Sequence, residues 1–123
     1  MAKKILVMAL AAMLLLAAFS GCSGGSASSG PIKIGWIGSL TGDSAVWGTN
    51  ESNMLKMLVE ETNANGGILG RQVELICYDT KGDANEAVNV TRRLAAQDKV
   101  CAIIGPNASA HCIAIQGVLK ELK

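Results

Sequence analysis

The stretch IGWIGSLTGDSAVWG, from Ile34 to Gly48, begins as a compact apolar run and then opens into small and polar residues around one aromatic, Trp47. A short apolar run bounded by turn residues is typical of a buried strand. The pattern predicts a strand at Lys33–Gly38 that leads into a loop at Ser39–Gly48. The composition of this loop raises the question of whether it holds a phosphate, a metal ion or a smaller organic molecule.

The chain beyond this loop repeats the order of strand and helix. Apolar residues at helical spacing predict a helix over Thr49–Asn65, which stops at Gly66-Gly67. The other predicted elements are a strand at Arg71–Tyr78, a helix that starts after an N-cap at Asp83, a strand at Lys99–Gly105 and a helix at Ser109–Lys123. Apolar strands that alternate with helices predict an α/β fold with an open parallel sheet and helices on both faces.

Three strands make a small core and leave an open sheet edge. We therefore expect residues 32–123 to be the first part of an N-terminal lobe that is truncated at Lys123.

Residues 1–21 have the layout of a secretory signal peptide. Lys3 and Lys4 precede an apolar run from Ile5 to Phe19, and small residues follow. A transmembrane anchor is the alternative, but the apolar run of about 15 residues is shorter than the roughly 20 that a spanning helix needs. The sequence thus predicts export to the periplasm or to the outer face of the cell membrane.

Cys22 stands directly after this segment, in the order FSGC, which resembles the bacterial lipobox. In a lipobox the cysteine becomes the lipidated N-terminus of the mature protein. Residues 22–31 are rich in Gly and Ser, a composition typical of a flexible tether between a membrane surface and a folded domain. A cysteine that merely ends a signal peptide is the alternative to lipidation of Cys22.

The charge balance argues against nucleic acid as a partner. The whole chain has a formal net charge of +1, and without Lys3 and Lys4 nine basic residues stand against ten acidic ones. The densest basic pair is Arg92-Arg93, and aromatic residues are few. Neither a phosphate-binding surface nor a base-stacking platform is indicated.

The remaining cysteines are Cys77, Cys101 and Cys112, with no CxxC pair and no spacing typical of a metal site. Cys77 and Cys101 lie in apolar strand-like runs, so we expect both to be small buried side chains. A disulfide among the three stays an open alternative, since an exported protein meets an oxidising compartment in many organisms.

The loops at the strand ends carry no pattern for phosphate binding or catalysis. Gly35, Gly38, Gly42 and Gly48 do not have the dinucleotide-binding spacing, and no Gly-Lys-Ser/Thr sequence follows them. His111 is the only histidine, and Cys112 points about 100° away from it on a helix.

Asp79 is explained by turn formation and Asp83 by helix capping. We expect no catalytic residue, no cofactor and no metal site.

The loop within IIGPNASAHC, after the third predicted strand, is the most informative of the loops at the strand ends. Asn107 follows a strand, and Ser109 stands at a helix start, where unpaired N–H groups and the helix dipole favour an anion such as a carboxylate. The alternative is that Asn107 or Ser109 only caps the helix. Trp47 can supply an apolar wall to a ligand, or it can belong to the core.

Three segments together resemble the periplasmic binding proteins of the branched-chain amino acid (Leu/Ile/Val) type. They are IKIGWIGSLTGDSAVWG, ETNANGGILGRQVELICYDTKGDANEAVNVTRRL and VCAIIGPNASA, and the resemblance covers Ile32 to Lys123. It implies a type I periplasmic-binding fold, in which two α/β lobes close on a ligand.

The resemblance also implies the site residues. The aromatic before a Gly lines the cleft and matches Trp47, and the hydroxyl that binds the ligand's carboxylate matches Ser109. Asn107, Ala108 and Ala110 would line the same edge. His111 follows Ala110 where some members carry further Ser residues, and the groups for the ligand's ammonium would lie beyond Lys123.

The resulting hypothesis is a lipid-anchored solute-binding protein of an ABC transporter, with a small amino acid as ligand and permease subunits as partners. A ligand-sensing domain of a signalling receptor with the same fold is the alternative. An enzyme of doubly wound fold is a third possibility, for which the strand ends carry no suitable residues.

Overall fold

The computed structural model describes residues 30–122, in which three strands alternate with three helices. The strands are β1 (Ile32–Gly38), β2 (Val73–Asp79) and β3 (Ala102–Ile104), and the helices are α1 (Ala45–Ala64), α2 (Ala84–Arg93) and α3 (Ser109–Glu121). A five-residue π-helical segment, Leu94–Asp98, continues α2. The predicted signal peptide, the lipidation at Cys22 and most of the linker lie outside the described residues. Within residues 30–122 no helix is both long enough and apolar enough to cross a membrane.

The sheet is parallel, and its order is β2-β1-β3. The register sets Ile34 opposite both Leu75 and Ala102, and it sets Gly38 opposite Asp79. The loops that follow the three strands therefore meet at one edge of the sheet, which we call the carboxyl edge. The predicted open parallel α/β sheet is confirmed.

Side chains of β1 alternate between two apolar layers, as the pleat of a strand requires. Ile34 lines a small cavity with Leu55 and Leu58 of α1. Ile37 points the other way and packs in a buried cluster with Ala87 of α2 and Ile115 of α3. Helices thus cover both faces of the sheet, as the sequence predicted, and each buried aliphatic side chain stabilises the fold by about 1.5–3 kcal/mol.

Helix α1 begins at Ala45, four residues before the predicted start at Thr49. Gly42 has a φ of 80°, and its carbonyl accepts a hydrogen bond from Ala45 N–H at 3.1 Å, so the chain turns early into the helix. Gly48 lies inside the helix, where only glycine fits, since a Cβ atom would come within 2.0 Å of the Ser39 carbonyl oxygen. The prediction placed Trp47 in a loop, and this was wrong, since the residue belongs to the first turn of α1.

Two other helix ends agree with the local sequence signals. Helix α1 gives way at Asn65 to Gly66, which has a φ of 96° that favours glycine. The Asp83 carboxylate accepts a hydrogen bond from Glu86 N–H at 2.7 Å, so Asp83 caps α2 as predicted.

Strand β3 spans three residues, fewer than the predicted Lys99–Gly105. Lys99 has a φ of 56° and turns the chain just before the strand. Cys101, directly before this edge strand, is exposed, so the expectation of a buried side chain was wrong, and Cys77 is only partly buried. Among the described residues Cys77, Cys101 and Cys112 are free thiols.

Candidate functional site

A cleft of about 290 Å³ lies at the carboxyl edge of the sheet. Its lining residues are Ser44, Trp47 and Glu51 from the start of α1, and Asn107 and Ala108 from the loop between β3 and α3. Two segments about 60 residues apart in sequence thus form opposite sides of one cavity.

Three of the sequence-predicted site residues meet in this cleft, namely Trp47, Asn107 and Ala108. Ser109 and Ala110 are the first two residues of α3 and are exposed, but they are not among the lining residues. They follow Ala108 directly in the chain.

Trp47 is 70% exposed, which excludes the alternative that it packs in the core of the described fold. The other tryptophan, Trp36, is the one that is buried, at 1% exposure on the middle strand. An indole with so large an open face offers apolar area and one N–H donor to a ligand.

The N-terminus of α3 presents backbone donors beside the cleft. Ala108 is the N-cap, and no side chain makes a cap hydrogen bond. The alternative that Asn107 or Ser109 only caps the helix is therefore wrong. The first intrahelical bond runs from Cys112 N–H to the Ala108 carbonyl at 3.0 Å. The N–H groups of Ser109, Ala110 and His111 precede that bond and have no acceptor within the helix, which favours an anion at this point.

Glu51 and Ser44 were missed in the sequence. Glu51 is half-buried and stands four residues after Trp47, so both side chains lie on one side of α1. The four-residue spacing of Trp47 and Glu51 was visible in the sequence, but the predicted helix began at Thr49 and so did not include Trp47. Glu51 gives the cleft a carboxylate that can pair with a cationic group.

Asp79, at the end of β2, ties the loop after β1 to the turn after β2. Its carboxylate accepts hydrogen bonds from Leu40 N–H at 2.8 Å, from the Thr41 hydroxyl at 2.6 Å and from Lys81 N–H at 2.8 Å. Partial burial raises the pKa of this carboxyl, but the hydrogen bonds from Thr41, Lys81 and Leu40 outweigh burial and hold the pKa below its usual range. The sequence had explained Asp79 by turn formation alone.

A buried contact lies under this bridge. The hydroxyl groups of Ser39 and Thr80 are 3.3 Å apart, and the two residues are 1% and 0% exposed. Thr80 N–H donates to the Gly38 carbonyl at 2.8 Å. The loop that leads into α1 is therefore fixed to the end of β2 both by the Asp79 carboxylate and by these buried contacts.

His111 and Cys112 have separate surroundings. The Cys112 thiol donates to the Pro106 carbonyl at 3.2 Å, and His111 is buried with an Nδ1 atom that has no hydrogen-bond partner among the described residues. Residues 30–122 contain no group of three or more His, Cys, Asp or Glu side chains arranged to hold a metal ion.

Comparisons with known proteins identify the family of the chain. A family model described as "Periplasmic binding protein" matches residues 31–123. The chain is 30% identical over 118 residues to the Leu/Ile/Val-binding protein homolog 7 of Brucella suis, which covers 96% of this chain and 27% of that protein. It is 34% identical over 90 residues to the Leu/Ile/Val-binding protein BraC3 of Rhizobium johnstonii, which covers 73% of this chain and 24% of that protein.

The fold is also similar to a solved structure. The substrate-binding protein LivJ of Streptococcus pneumoniae, a branched-chain amino acid transporter protein crystallised in complex with isoleucine, superposes with a TM-score of 0.72 and 37% identity. The superposition covers 75% of this chain and 26% of LivJ. The chain therefore spans about a quarter of the length of the proteins it matches, and it belongs to the periplasmic binding protein family.

Proposed function

We propose that this chain is the solute-binding component of an ABC transporter, which is exported, lipid-anchored at Cys22 and specific for amino acids of the branched-chain or a similar small type. The observation that carries the proposal is the cleft in which Trp47 and Glu51 of α1 meet the loop before α3. The relatives named for binding Leu/Ile/Val support the choice of solute class.

The cleft suits a small zwitterion with an apolar side chain. The ligand's carboxylate would take the unpaired N–H groups at the start of α3, with the Ser109 hydroxyl as a further donor. Its ammonium group would pair with Glu51, and its side chain would cover the open face of Trp47.

A second lobe would complete the proposed binding cycle. When two lobes close on a ligand, water leaves the cleft and both the charge pairing and the apolar contact become stronger. The closed form would then dock on the permease subunits. The reaction is binding and release, and no residue of the cleft is assigned a catalytic role.

A ligand-sensing domain of a signalling receptor is the second candidate, because the same fold and cleft would serve it equally well. The two differ in what surrounds them. A receptor needs a membrane helix or an output domain in the same protein, whereas a transport component needs permease genes nearby, and reading the genomic neighbourhood separates them.

Titration calorimetry on the mature protein, with leucine, isoleucine and valine as ligands and a sugar as the negative control, tests solute binding. We expect Trp47→Ala to raise Kd at least tenfold, which corresponds to about 1.4 kcal/mol. Val46→Ala is the matched control, since Val46 is 69% exposed on the same turn but is not among the cleft residues. Equal Kd values for both variants, or no heat with any amino acid, would contradict the proposal.

Lipidation is tested separately. Cells that express the chain should incorporate labelled palmitate into it, and Cys22→Ala should abolish the label. Label that persists in the variant would show that Cys22 is not the anchor.

A further inference from the structure

A basic cavity lies at the opposite edge of the sheet from the cleft, and we call it the basic face. It has a volume of about 460 Å³ and is lined by Pro31, Ile32, Lys33, Arg71, Lys99 and Cys101. Three of its six residues are cationic, and none is acidic. The neutral members are small or apolar, so the surface between the charges carries no group that would repel an anion.

The parallel topology brings these three bases together. Lys33 lies near the start of β1, Arg71 stands just before β2, and Lys99 stands just before β3. The starts of parallel strands share one edge of the sheet, so each strand contributes one cation to the same place. In sequence the three residues are far apart, and no charge run marks them.

Lys33 and Lys99 form no ion pair with their acidic neighbours. Glu74 pairs in register with Lys33 but makes no ion pair with it, and Asp98, next to Lys99, accepts a hydrogen bond from the Tyr78 hydroxyl at 3.0 Å. Within residues 30–122 neither lysine forms a salt bridge. Farther along this edge, Glu121 is already engaged by Arg92 at 3.3 Å.

The tether enters the fold at this same face. Arg71 donates from Nε to the Gly30 carbonyl at 2.9 Å and from Nη2 to the Pro31 carbonyl at 3.4 Å, which fixes the first described residues beside the basic face. Seven residues lie between Cys22 and Gly30, so the two positions are eight residue steps apart. Even fully extended, eight residues span at most about 28 Å.

We propose that the basic face docks on an anionic phospholipid surface and holds the lobe against the membrane to which Cys22 is anchored. This inference rests on the proposed lipid anchor, which limits the distance between Gly30 and the bilayer. A lobe docked in this way directs the cleft, at the carboxyl edge, away from the membrane and toward the solution from which solute is captured.

The expected strength is modest and depends on salt. Each basic residue near an anionic membrane surface strengthens binding by about fivefold. Such attraction falls off within a Debye length, about 10 Å at 0.1 M salt, so it weakens strongly between 0.05 and 0.5 M. An anchored protein needs no more than this, because the tether keeps the lobe close to the surface.

Two exposed thiols provide a reporter and its internal control. Cys101 lies in the basic face, whereas Cys112 lies on the first turns of α3 near the opposite edge. The mature lipidated protein is reconstituted in vesicles of phosphatidylcholine with or without phosphatidylglycerol, and a bulky impermeant maleimide is added. Fragmentation mass spectrometry then gives the labelling rate of each cysteine. We expect anionic vesicles to lower the labelling rate of Cys101 at least fivefold at 0.05 M salt, while the labelling rate of Cys112 changes by less than twofold.

The variants are matched in backbone conformation. Lys99 and Lys81 both have left-handed φ values, 56° and 54°, and lie at opposite edges of the sheet, and asparagine tolerates this conformation. Lys33→Gln with Lys99→Asn should abolish the protection of Cys101, and Lys81→Asn should leave it unchanged. Equal labelling of Cys101 in both vesicle types, or equal effects of the two variants, would overturn the docking proposal.

Failure of the anchor gives a different result. Flotation with neutral vesicles at 0.5 M salt depends on the lipid chains alone, so a protein that stays at the bottom of the gradient has no anchor. Anionic vesicles at 0.05 M salt still test the basic face of such a protein. Binding that requires Lys33 and Lys99 would uphold docking without an anchor, and absence of binding would refute it.

Discussion

Replacing Asp79 by asparagine should loosen the carboxyl edge of the sheet while leaving its shape almost unchanged. The carboxylate accepts three hydrogen bonds, from Leu40 N–H, the Thr41 hydroxyl and Lys81 N–H, at 2.6 to 2.8 Å. An amide side chain has the same size but no charge and only one acceptor oxygen. The bonds from Leu40 and Lys81 reach the same oxygen atom and can persist, whereas the bond from Thr41 cannot keep its acceptor.

The magnitude follows from these contacts. A hydrogen bond to a charged acceptor contributes about 1.5–3 kcal/mol and a neutral one about 0.5–1.5 kcal/mol, so the bonds from Leu40 and Lys81 weaken by roughly 1 kcal/mol each. The Thr41 hydroxyl loses its acceptor but is exposed, so water replaces that bond. Asp79 is partly exposed, and water compensates some of the loss. We expect the free energy of unfolding to fall by about 2 kcal/mol, which lowers the urea midpoint by about 1–2 M.

The effect should depend on pH in a defined direction. The pKa of Asp79 is lowered in the folded protein, so its ionised form stabilises the fold. That stabilisation is fully present above the unfolded-state pKa of about 3.9 and is lost as the pH falls through the lower folded-state pKa. The difference between wild type and Asp79→Asn should therefore be largest near pH 7 and shrink below about pH 4.

Urea unfolding of the mature protein, followed by circular dichroism at pH 7 and at pH 3, measures both quantities. Asp43→Asn is the matched control, because Asp43 is exposed in the same loop and makes no hydrogen bond within residues 30–122. A loss below 0.5 kcal/mol for Asp79→Asn at pH 7, or a loss that stays constant down to pH 3, would refute the assigned role of the carboxylate.

Three further results are expected. Gly48→Ala should lower the free energy of unfolding by about 3 kcal/mol, since a Cβ atom would lie 2.0 Å from the Ser39 carbonyl oxygen. Gly117→Ala is the control and should raise the free energy of unfolding by up to about 1 kcal/mol, because its Cβ atom would meet no atom within 4 Å. Equal urea midpoints for the two variants would contradict this expectation. Asp83→Ala should cost about 1 kcal/mol through loss of the cap on α2, Asp83→Asn should cost less, and thermal unfolding compares them. Cys77 should react with a maleimide at pH 8 more slowly than Cys101, because burial raises the pKa of its thiol despite the nearby Lys56, and faster labelling of Cys77 would argue against that burial.

The order of strands and helices was predictable because its signals are local. Gly66-Gly67 ends α1, Asp83 begins α2, and the apolar run of β1 is buried, each within one residue or two of the expected place. A parallel sheet follows from that order, since strands joined by helices run in the same direction. Trp47 and Asn107 were also singled out in advance from the loops at the strand ends, and Ala108 from a family resemblance.

The misses share a different cause. The early start of α1 brings Gly48 against Ser39, and the exposure of Cys101 reflects the position of β3 at the edge of the sheet. A periodicity shows neither of these, because both depend on which element lies beside the residue after folding.

The sequence by itself determined the class of fold, the direction of the strands and the edge of the sheet at which the loops collect. Only the tertiary structure decided what those loops and strand starts do together. Asp79 acts on Leu40, which is 39 positions away, and Lys33 and Lys99 share one cavity across the sheet. The reason is physical: helix and turn signals act over a few residues, whereas hydrogen bonds and charges act over a few ångströms, and folding alone decides which distant residues come that close.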